Sequence, residues 1–159
     1  LTSRAIPYRV YKGMSLLEHK DIRNMLAYIS LIINPNDDES FKRIVNYPAR
    51  GIGDTTIMRI EQLARERGSS MWHAVDALVA ATEVNSVERV VVRKVTDFVR
   101  LINELSAMRM QMSVTDFAKE VMLRSGILHE LEKEKKAKQD YAKRAIEAST
   151  ALAKSSVAN

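Results

Sequence analysis

The 159-residue chain has no cysteine, only 6% aromatic residues and no long apolar run. Without cysteine it cannot form a disulfide framework, a zinc–thiolate site or a cysteine nucleophile. No apolar run approaches the roughly 18 residues that a membrane span needs, and no signal peptide is visible at the first residues. We therefore expect a cytoplasmic protein with no membrane partner.

The motifs of several large enzyme classes are also missing. The sequence has no Gly-x-x-x-x-Gly-Lys-[Ser/Thr] loop for nucleotide phosphates and no Gly-x-Ser-x-Gly nucleophile elbow. Its three histidines, His19, His73 and His129, are far apart in sequence, so no two of them have the spacing of a helical metal-ligand pair. We expect no catalytic residue, no metal and no cofactor in this chain.

The composition is that of a folded domain: 46% of the residues are hydrophobic and 28% are charged. The formal net charge of +5 permits a nucleic-acid partner without requiring one. The chain begins with Leu1 rather than methionine, which suggests a piece of a longer protein.

Most of the sequence has helical periodicity. Predicted helices cover residues 16–33, 38–46, 54–67, 86–108 and 114–125, with a further helix after residue 70 and a charged helical stretch from about 127. The predicted N-caps are Asp37 or Asp38, Ser69 or Ser70, and Ser113, and Gly68 is a predicted helix end. The first of these helices has a predicted apolar face made of Ile22, Leu26, Ile29, Ile32 and Ile33. Partial alternation predicts one short strand at residues 6–11, whose sheet partners would lie outside this chain. The predicted fold is an all-α, multi-helix bundle with one short N-terminal strand.

The most informative stretch joins two short helical patterns and holds two of the five glycines. It reads Arg50, Gly51, Ile52, Gly53, Asp54, Thr55, Thr56. Glycine tolerates positive φ and leaves backbone N–H groups uncovered, so a tight Gly-Ile-Gly hairpin can bring several amides to one anion. The following helix would begin at Asp54, Thr55 or Thr56, with its positive dipole end facing the same point.

A phosphate group suits such a hairpin. Ile52 is predicted to point inward, and Arg50 to add a charge-assisted contact to the bound phosphate. An architectural corner, in which the glycines only make the turn, is the alternative. Six basic residues lie near the hairpin in sequence, although interleaved carboxylates leave open that they form a solvated charged face. They are Lys42, Arg43, Arg50, Arg59, Arg65 and Arg67.

Residues 44–56 resemble the helix-hairpin-helix element that binds DNA backbones. More narrowly, they resemble the Gly-Ile-Gly motif in the 2B subdomain of UvrD/PcrA/Rep-type superfamily 1 DNA helicases. Residues 6–13 are similar to that family's Ile-Pro-Tyr-x-x-Tyr-Gly-Gly strand, and residues 34–38 to its Asn-Pro-x-Asp-Asp turn. Residues 16–28 are similar to its Phe-Phe-Glu-x-x-Glu-Ile-Lys-Asp-x-x-Ala-Tyr helix. Lys12, Leu16, Leu17 and Asn24 depart from the family pattern, and past residue 60 only helical pattern and length agree.

The resemblance implies a two-part organisation. Residues 1–35 would be the end of a 2A segment, a strand plus a helix, and residues 36–159 most of the 2B subdomain, with a hinge at residues 34–38. The parent would be an ATP-dependent 3′-to-5′ DNA helicase of repair or replication restart. It would use ATP and Mg²⁺ at motifs outside this chain, so the fragment alone should be inactive.

The same resemblance implies a set of DNA-binding residues. Gly51, Ile52, Gly53, Asp54 and Thr55 would hold the duplex through its phosphates, and Thr56 would cap the next helix. The implied partners are duplex DNA or a single-strand/duplex junction, the remaining helicase subdomains and other repair proteins.

A second reading has no direct DNA contact. The bundle, including the amphipathic helix at residues 86–108, would then be a protein-interaction module in which the Gly-Ile-Gly corner is architectural. The tail after about residue 140 is either a helix that needs a partner or a frayed end.

Overall fold

The structure, a computed structural model, describes residues 17–158. These residues form seven α-helices and no strand, which confirms the predicted all-α class. The predicted strand at residues 6–11 lies outside the described residues. In chain order the helices are α1 (His19–Ile33), α2 (Asp38–Ile44), α3 (Asp54–Arg67), α4 (Met71–Ala80), α5 (Ser86–Arg109), α6 (Val114–Arg124) and α7 (Ile127–Ala158).

The helix ends follow local capping chemistry. Asp37, Ser70 and Ser113 each accept a hydrogen bond from the backbone N–H three residues later and so begin α2, α4 and α6. Gly68 ends α3 in the left-handed conformation, with φ of 62°. These stop and start signals are local in sequence, and all four were among the predicted ones.

Three aromatic rings mark the centre of the core. Phe41 of α2 and Phe98 of α5 meet edge to face, with ring centroids 5.7 Å apart. Trp72 of α4 approaches Phe98 in the same manner, at 6.4 Å. Edge-to-face pairs contribute about 0.5–1.5 kcal/mol beyond the area they bury. Three of the nine aromatic side chains of the sequence therefore meet where α2, α4 and α5 converge.

The buried face of α1 agrees only in part with the predicted one. Ile32 is buried and Ile29 packs against the core, as predicted, but Ile22, Leu26 and Ile33 are 40%, 51% and 58% exposed. Tyr28 and Leu31, which were not in the predicted face, are fully buried. The helical period of α1 was predicted correctly. The direction of its buried face was predicted only in part, because it was chosen from the positions of isoleucine and leucine alone. Contacts with α2, α5 and α6 select the face that carries Tyr28 instead.

Helix α1 is part of the same hydrophobic core as the later helices. Tyr28 and Leu31 belong to one buried cluster with Phe41 and Phe98. The turn at residues 34–38 is tightly connected as well, because the Asp38 carboxylate accepts a hydrogen bond from the Met71 N–H at 2.9 Å. The packing therefore shows no gap at the predicted boundary between residues 35 and 36.

Helix α7 continues well beyond the bundle. Its first turns bury Ile127, Leu128 and Leu131, whereas the side chains of residues 136–155 are exposed. In the charged stretch, Glu134 and Lys138 form ion pairs with Lys20 at 4.0 Å and Glu18 at 3.6 Å, near the start of α1. Along residues 17–158, none of the helices has the combined length and apolarity needed for a membrane crossing.

A candidate phosphate-binding hairpin

Between α2 and α3 the chain turns at the Gly-Ile-Gly stretch, and residues 50–56 are called the hairpin below. Gly51 has φ of 74°, a left-handed value that residues with a Cβ rarely adopt. The N-cap of α3 is Gly53, with extended backbone and no capping side chain. The prediction that Thr56 caps this helix is therefore wrong: Thr56 is its third residue, and its side chain is 4% exposed. The cap needs non-helical dihedrals, and here they occur at Gly53.

Ile52 anchors the hairpin to the core. Its side chain is 1% exposed and lies in the central buried cluster, as predicted. The two flanking glycines are free of such contacts, since a Cβ built on Gly51 or Gly53 meets no atom within 4 Å. The hairpin thus has one apolar side turned inward and an open side at its glycines.

Asn46 holds the hairpin backbone through two hydrogen bonds. The sequence did not lead us to predict this role. Its Oδ1 atom accepts hydrogen bonds from the N–H of Arg50 at 2.7 Å and of Ile52 at 3.0 Å. Asparagine side chains commonly bond nearby backbone amides in turns, so an Asn just after α2 was a usable signal. Its carbonyl occupies two of the hairpin's N–H groups and leaves the alternate ones uncovered.

The Arg50 side chain points into the protein rather than towards a ligand. Its Nη1 atom donates to the carbonyl oxygens of Ile44, Val45 and Tyr47, at 2.8, 3.2 and 3.0 Å. These carbonyls lie at and just after the C-terminus of α2, where a cation is favoured by the helix dipole. The predicted contact from this guanidinium to a phosphate is not available in this conformation.

Tyr28 completes the surroundings of Arg50. The tyrosine hydroxyl accepts a hydrogen bond from Arg50 Nη2 and donates one to the Tyr47 carbonyl at 2.5 Å. Burial raises the pKa of Tyr28, and the nearby guanidinium offsets part of that rise. The hydroxyl is thus protonated at neutral pH and available as a donor. The guanidinium also lies over the Phe98 ring, 5.1 Å from its centroid.

Five backbone N–H groups of the hairpin and of the first turn of α3 have no acceptor among the described residues. Within residues 17–158 no hydrogen bond is made by the backbone N–H of Gly51, Gly53, Asp54, Thr55 or Thr56. The last three belong to the first turn of α3, where unsatisfied N–H groups and the helix dipole together favour an anion. This arrangement can hold a phosphate oxygen through backbone groups alone.

Most of the predicted basic cluster is either paired or distant from the hairpin, and Arg59, exposed on α3, is the exception among the described residues. Lys42 lies 3.5 Å from Glu61 and 3.7 Å from Glu39, and Arg67 lies 3.0 Å from Glu88. Arg43 donates to the Asn24 side chain. Arg65 and Arg67 also belong to the last turn of α3, roughly 20 Å from its start at 1.5 Å per residue. The capacity of the hairpin for an anion therefore comes mainly from its amides.

Comparison with known proteins gives a consistent result. The family model described as the UvrD-like helicase C-terminal domain matches residues 1–154. DNA helicase II of Haemophilus influenzae is 38% identical over 133 residues, 82% of this chain and 18% of the relative. ATP-dependent DNA helicase UvrD1 of Mycobacterium leprae is 36% identical over 127 residues, 80% of this chain and 16% of the relative. ATP-dependent DNA helicase PcrA of Bacillus subtilis is 31% identical over 126 residues, 77% and 16% of the two chains.

Proposed function

The chain belongs to the UvrD-like helicase C-terminal domain family, and from this we propose that it is a DNA-binding accessory subdomain of the 2B type. It covers only 16–18% of the length of the relatives described above, so the activity of the whole protein is part of the proposal. The parent is an ATP-dependent 3′-to-5′ DNA helicase of repair or replication restart. ATP and Mg²⁺ are used by its other subdomains, in the cytoplasm.

The hairpin is the part that we propose binds DNA. The observation that carries this proposal is the set of five N–H groups, at Gly51, Gly53 and the first turn of α3, that no described residue accepts. Duplex DNA presents a regular array of phosphates, and N–H groups at a helix start suit them. Because such contacts carry no sequence information, the subdomain holds duplex DNA, or a single-strand/duplex junction, without base preference.

Fewer residues are assigned to the phosphate contact than the sequence suggested. Gly51, Gly53, Asp54, Thr55 and Thr56 contribute backbone N–H groups, and Ile52 holds the hairpin in place from within. Gly51 and Gly53 support this assignment, since neither residue places a side chain over these N–H groups. The guanidinium of Arg50 is not among the proposed phosphate ligands.

We also propose that the 2B-like unit begins before α1 rather than at residue 36. Tyr28 and Leu31 of α1 share a core with Phe41 and Phe98. A swivel at residues 34–38 would have to open that core and expose apolar side chains. A pivot N-terminal to α1 would leave it intact.

Fluorescence anisotropy of a labelled duplex with a 3′ single-stranded tail, titrated with this chain at two low salt concentrations, tests the DNA role. We expect binding that a blunt duplex retains and a single strand loses. The affinity should fall with salt by a log–log slope of about 0.9 for each phosphate that an exposed lysine or arginine of the chain neutralises, whereas the uncharged amide contacts add nothing to this slope. Absence of binding at the lower salt concentration would contradict a direct DNA role.

The chain offers a matched pair of variants for this assay. Gly51 and Gly68 both have positive φ, 74° and 62°, and a Cβ on either would meet no atom within 4 Å. Gly51→Ala and Gly68→Ala should therefore cost similar stability, about 1–2 kcal/mol each. Only Gly51→Ala lies at the hairpin and should weaken duplex binding. Equal affinity of the two variants would remove the hairpin from the DNA contact.

The alternative function, a protein-interaction module, is favoured by a different observation. Helix α7 exposes Tyr141, Ile146 and Leu152 at 77%, 67% and 73%, beyond the end of the bundle. Exposed apolar side chains mark a partner-binding surface where they form a contiguous patch, and this hypothesis requires that a partner bridge these three along α7. Salt-insensitive association with a repair protein or another helicase subdomain, together with no duplex binding at low salt, would support this function over the first.

A further inference from the structure

We propose that Asn46 and Arg50 are positioning residues that hold the Gly-Ile-Gly hairpin in its anion-binding conformation without touching the DNA themselves. This inference rests on the proposed phosphate contact and adds to it the residues that set its geometry. It also replaces the direct contact that the sequence suggested for Arg50.

Asn46 determines which amides face the ligand. Its single Oδ1 atom accepts from the N–H groups of Arg50 and Ile52, at 2.7 and 3.0 Å. These two N–H groups must point towards the same atom, so the hairpin backbone is turned with residues 50 and 52 inward. The N–H groups of Gly51 and Gly53 have no acceptor among residues 17–158. Asn46 thus defines the open side.

Arg50 fixes the hairpin to the bundle beneath it. Its guanidinium binds three carbonyls at the end of α2, those of Ile44, Val45 and Tyr47. Through Nη2 it also binds the Tyr28 hydroxyl of α1 and lies 3.5 Å from the Ser125 carbonyl between α6 and α7. The Arg50 side chain therefore connects the hairpin to three other parts of the chain: α1, the end of α2 and the junction between α6 and α7. It does so without occupying the free N–H groups of the hairpin.

This network requires the planar fork of an arginine. A guanidinium offers five donors in a fixed plane, whereas an ammonium is a compact point charge with three donors. Lysine at residue 50 would keep the positive charge but could not reach both the α2 carbonyls and the Tyr28 hydroxyl. A positioning role and a phosphate-contact role therefore predict different behaviour for Arg50→Lys.

The test compares Arg50→Lys and Arg50→Gln for duplex affinity and for its salt slope. If Arg50 is a positioning residue, both variants should bind duplex about tenfold more weakly, which is the effect of losing one hydrogen bond to a charged group. The salt slope should then be unchanged. Direct contact predicts a slope lower by about 0.9 in Arg50→Gln and near-parent binding in Arg50→Lys. That second result would overturn the proposal. Arg59→Gln, which removes an exposed arginine of α3, controls for the loss of one charge.

Asn46 is tested by a measurement that needs no DNA. Amide hydrogen exchange, followed by nuclear magnetic resonance, reports protection of the Ile52 N–H. Asn46→Ala should speed that exchange by about tenfold, the effect of losing one hydrogen bond. Asn46→Asp keeps an acceptor in the same position and should preserve the protection. Unchanged exchange in Asn46→Ala would overturn the role of Asn46.

Failure of the proposed function and failure of this inference give different results. If Gly51→Ala binds duplex as tightly as the parent chain, the phosphate contact fails, whatever the exchange data show. If Gly51→Ala weakens binding but both Arg50 variants bind as the parent does, the contact stands and the positioning role fails. Circular dichroism of each variant verifies that the helices are retained.

Discussion

Replacement of Gly53 by aspartate should stabilise the chain while weakening its binding to DNA. Gly53 is the N-cap of α3, with φ of −86° and ψ of 178°, and it has no side chain to accept from the first N–H groups. Aspartate adopts these dihedrals readily and is among the best N-cap residues. A Cβ at this position would meet no atom within 4 Å, so the substitution creates no clash.

The stabilisation can be estimated from three contributions that partly overlap. A capping hydrogen bond is worth a few tenths of a kcal/mol over glycine. A negative charge at a helix N-terminus contributes about 0.3–1 kcal/mol. Removal of a glycine from the unfolded chain contributes about 0.4–1 kcal/mol. Because these contributions are not additive, we expect a gain of about 1 kcal/mol in the free energy of unfolding.

The same carboxylate should oppose the ligand. It would occupy one of the N–H groups in the first turn of α3 and place a negative charge beside the phosphate. Two like charges 4 Å apart repel by about 1 kcal/mol in bulk water and by more near a protein surface. Duplex affinity should therefore fall at least about fivefold.

Urea unfolding followed by circular dichroism and fluorescence anisotropy with duplex DNA measure the two effects on the same sample. Asn85→Asp provides a control, because it adds a carboxylate at another N-cap, that of α5, away from the hairpin. Its duplex affinity should match that of the parent chain. Raised stability with unchanged affinity in Gly53→Asp would refute the assignment of these amides to the phosphate, and lowered stability would refute the capping argument.

Three further predictions concern folding. Ile52→Ala should cost about 2–5 kcal/mol in urea unfolding, because a side chain that is 1% exposed leaves a cavity; a loss below 1 kcal/mol would mean that Ile52 does not anchor the hairpin. Asp37→Ala should cost about 0.5–2 kcal/mol through loss of the cap bonds to Ser40, and no loss would contradict the capping role. Burial raises the pKa of Tyr28, so above about pH 10 the unfolded chain releases a proton that the folded chain keeps, and stability falls as pH rises. Tyr28→Phe should lessen this fall relative to the parent; an identical pH profile would refute it.

The helix ends were predictable because their signals are local. Gly68, Ser70 and Ser113 act within three or four residues of themselves, and capping chemistry is the same whatever the tertiary fold. The Gly-Ile-Gly hairpin and the inward Ile52 were predictable for the same reason. The exception was Thr56, which the family resemblance implied as the cap and which lies instead in the first turn of α3.

The features that were not predictable depend on distant partners. Arg50 turns inward because its acceptors include Tyr28, 22 residues before it, and Ser125, 75 residues after it. No local pattern indicates such a network. The phase of α1 is a similar case, since Ile22 and Leu26 are as apolar as Leu31, and only contacts with α2, α5 and α6 select the buried face.

The most direct test of the account is a titration of the ¹⁵N-labelled chain with a short duplex, observed through its backbone amide signals at low salt. A phosphate contact at the hairpin predicts saturable shifts at Gly51, Gly53, Asp54, Thr55 and Thr56. The N–H signals of Arg50 and Ile52, which remain bonded to Asn46, should shift less. Shifts confined to α7 or to exposed arginines, with the hairpin signals unmoved, would contradict it.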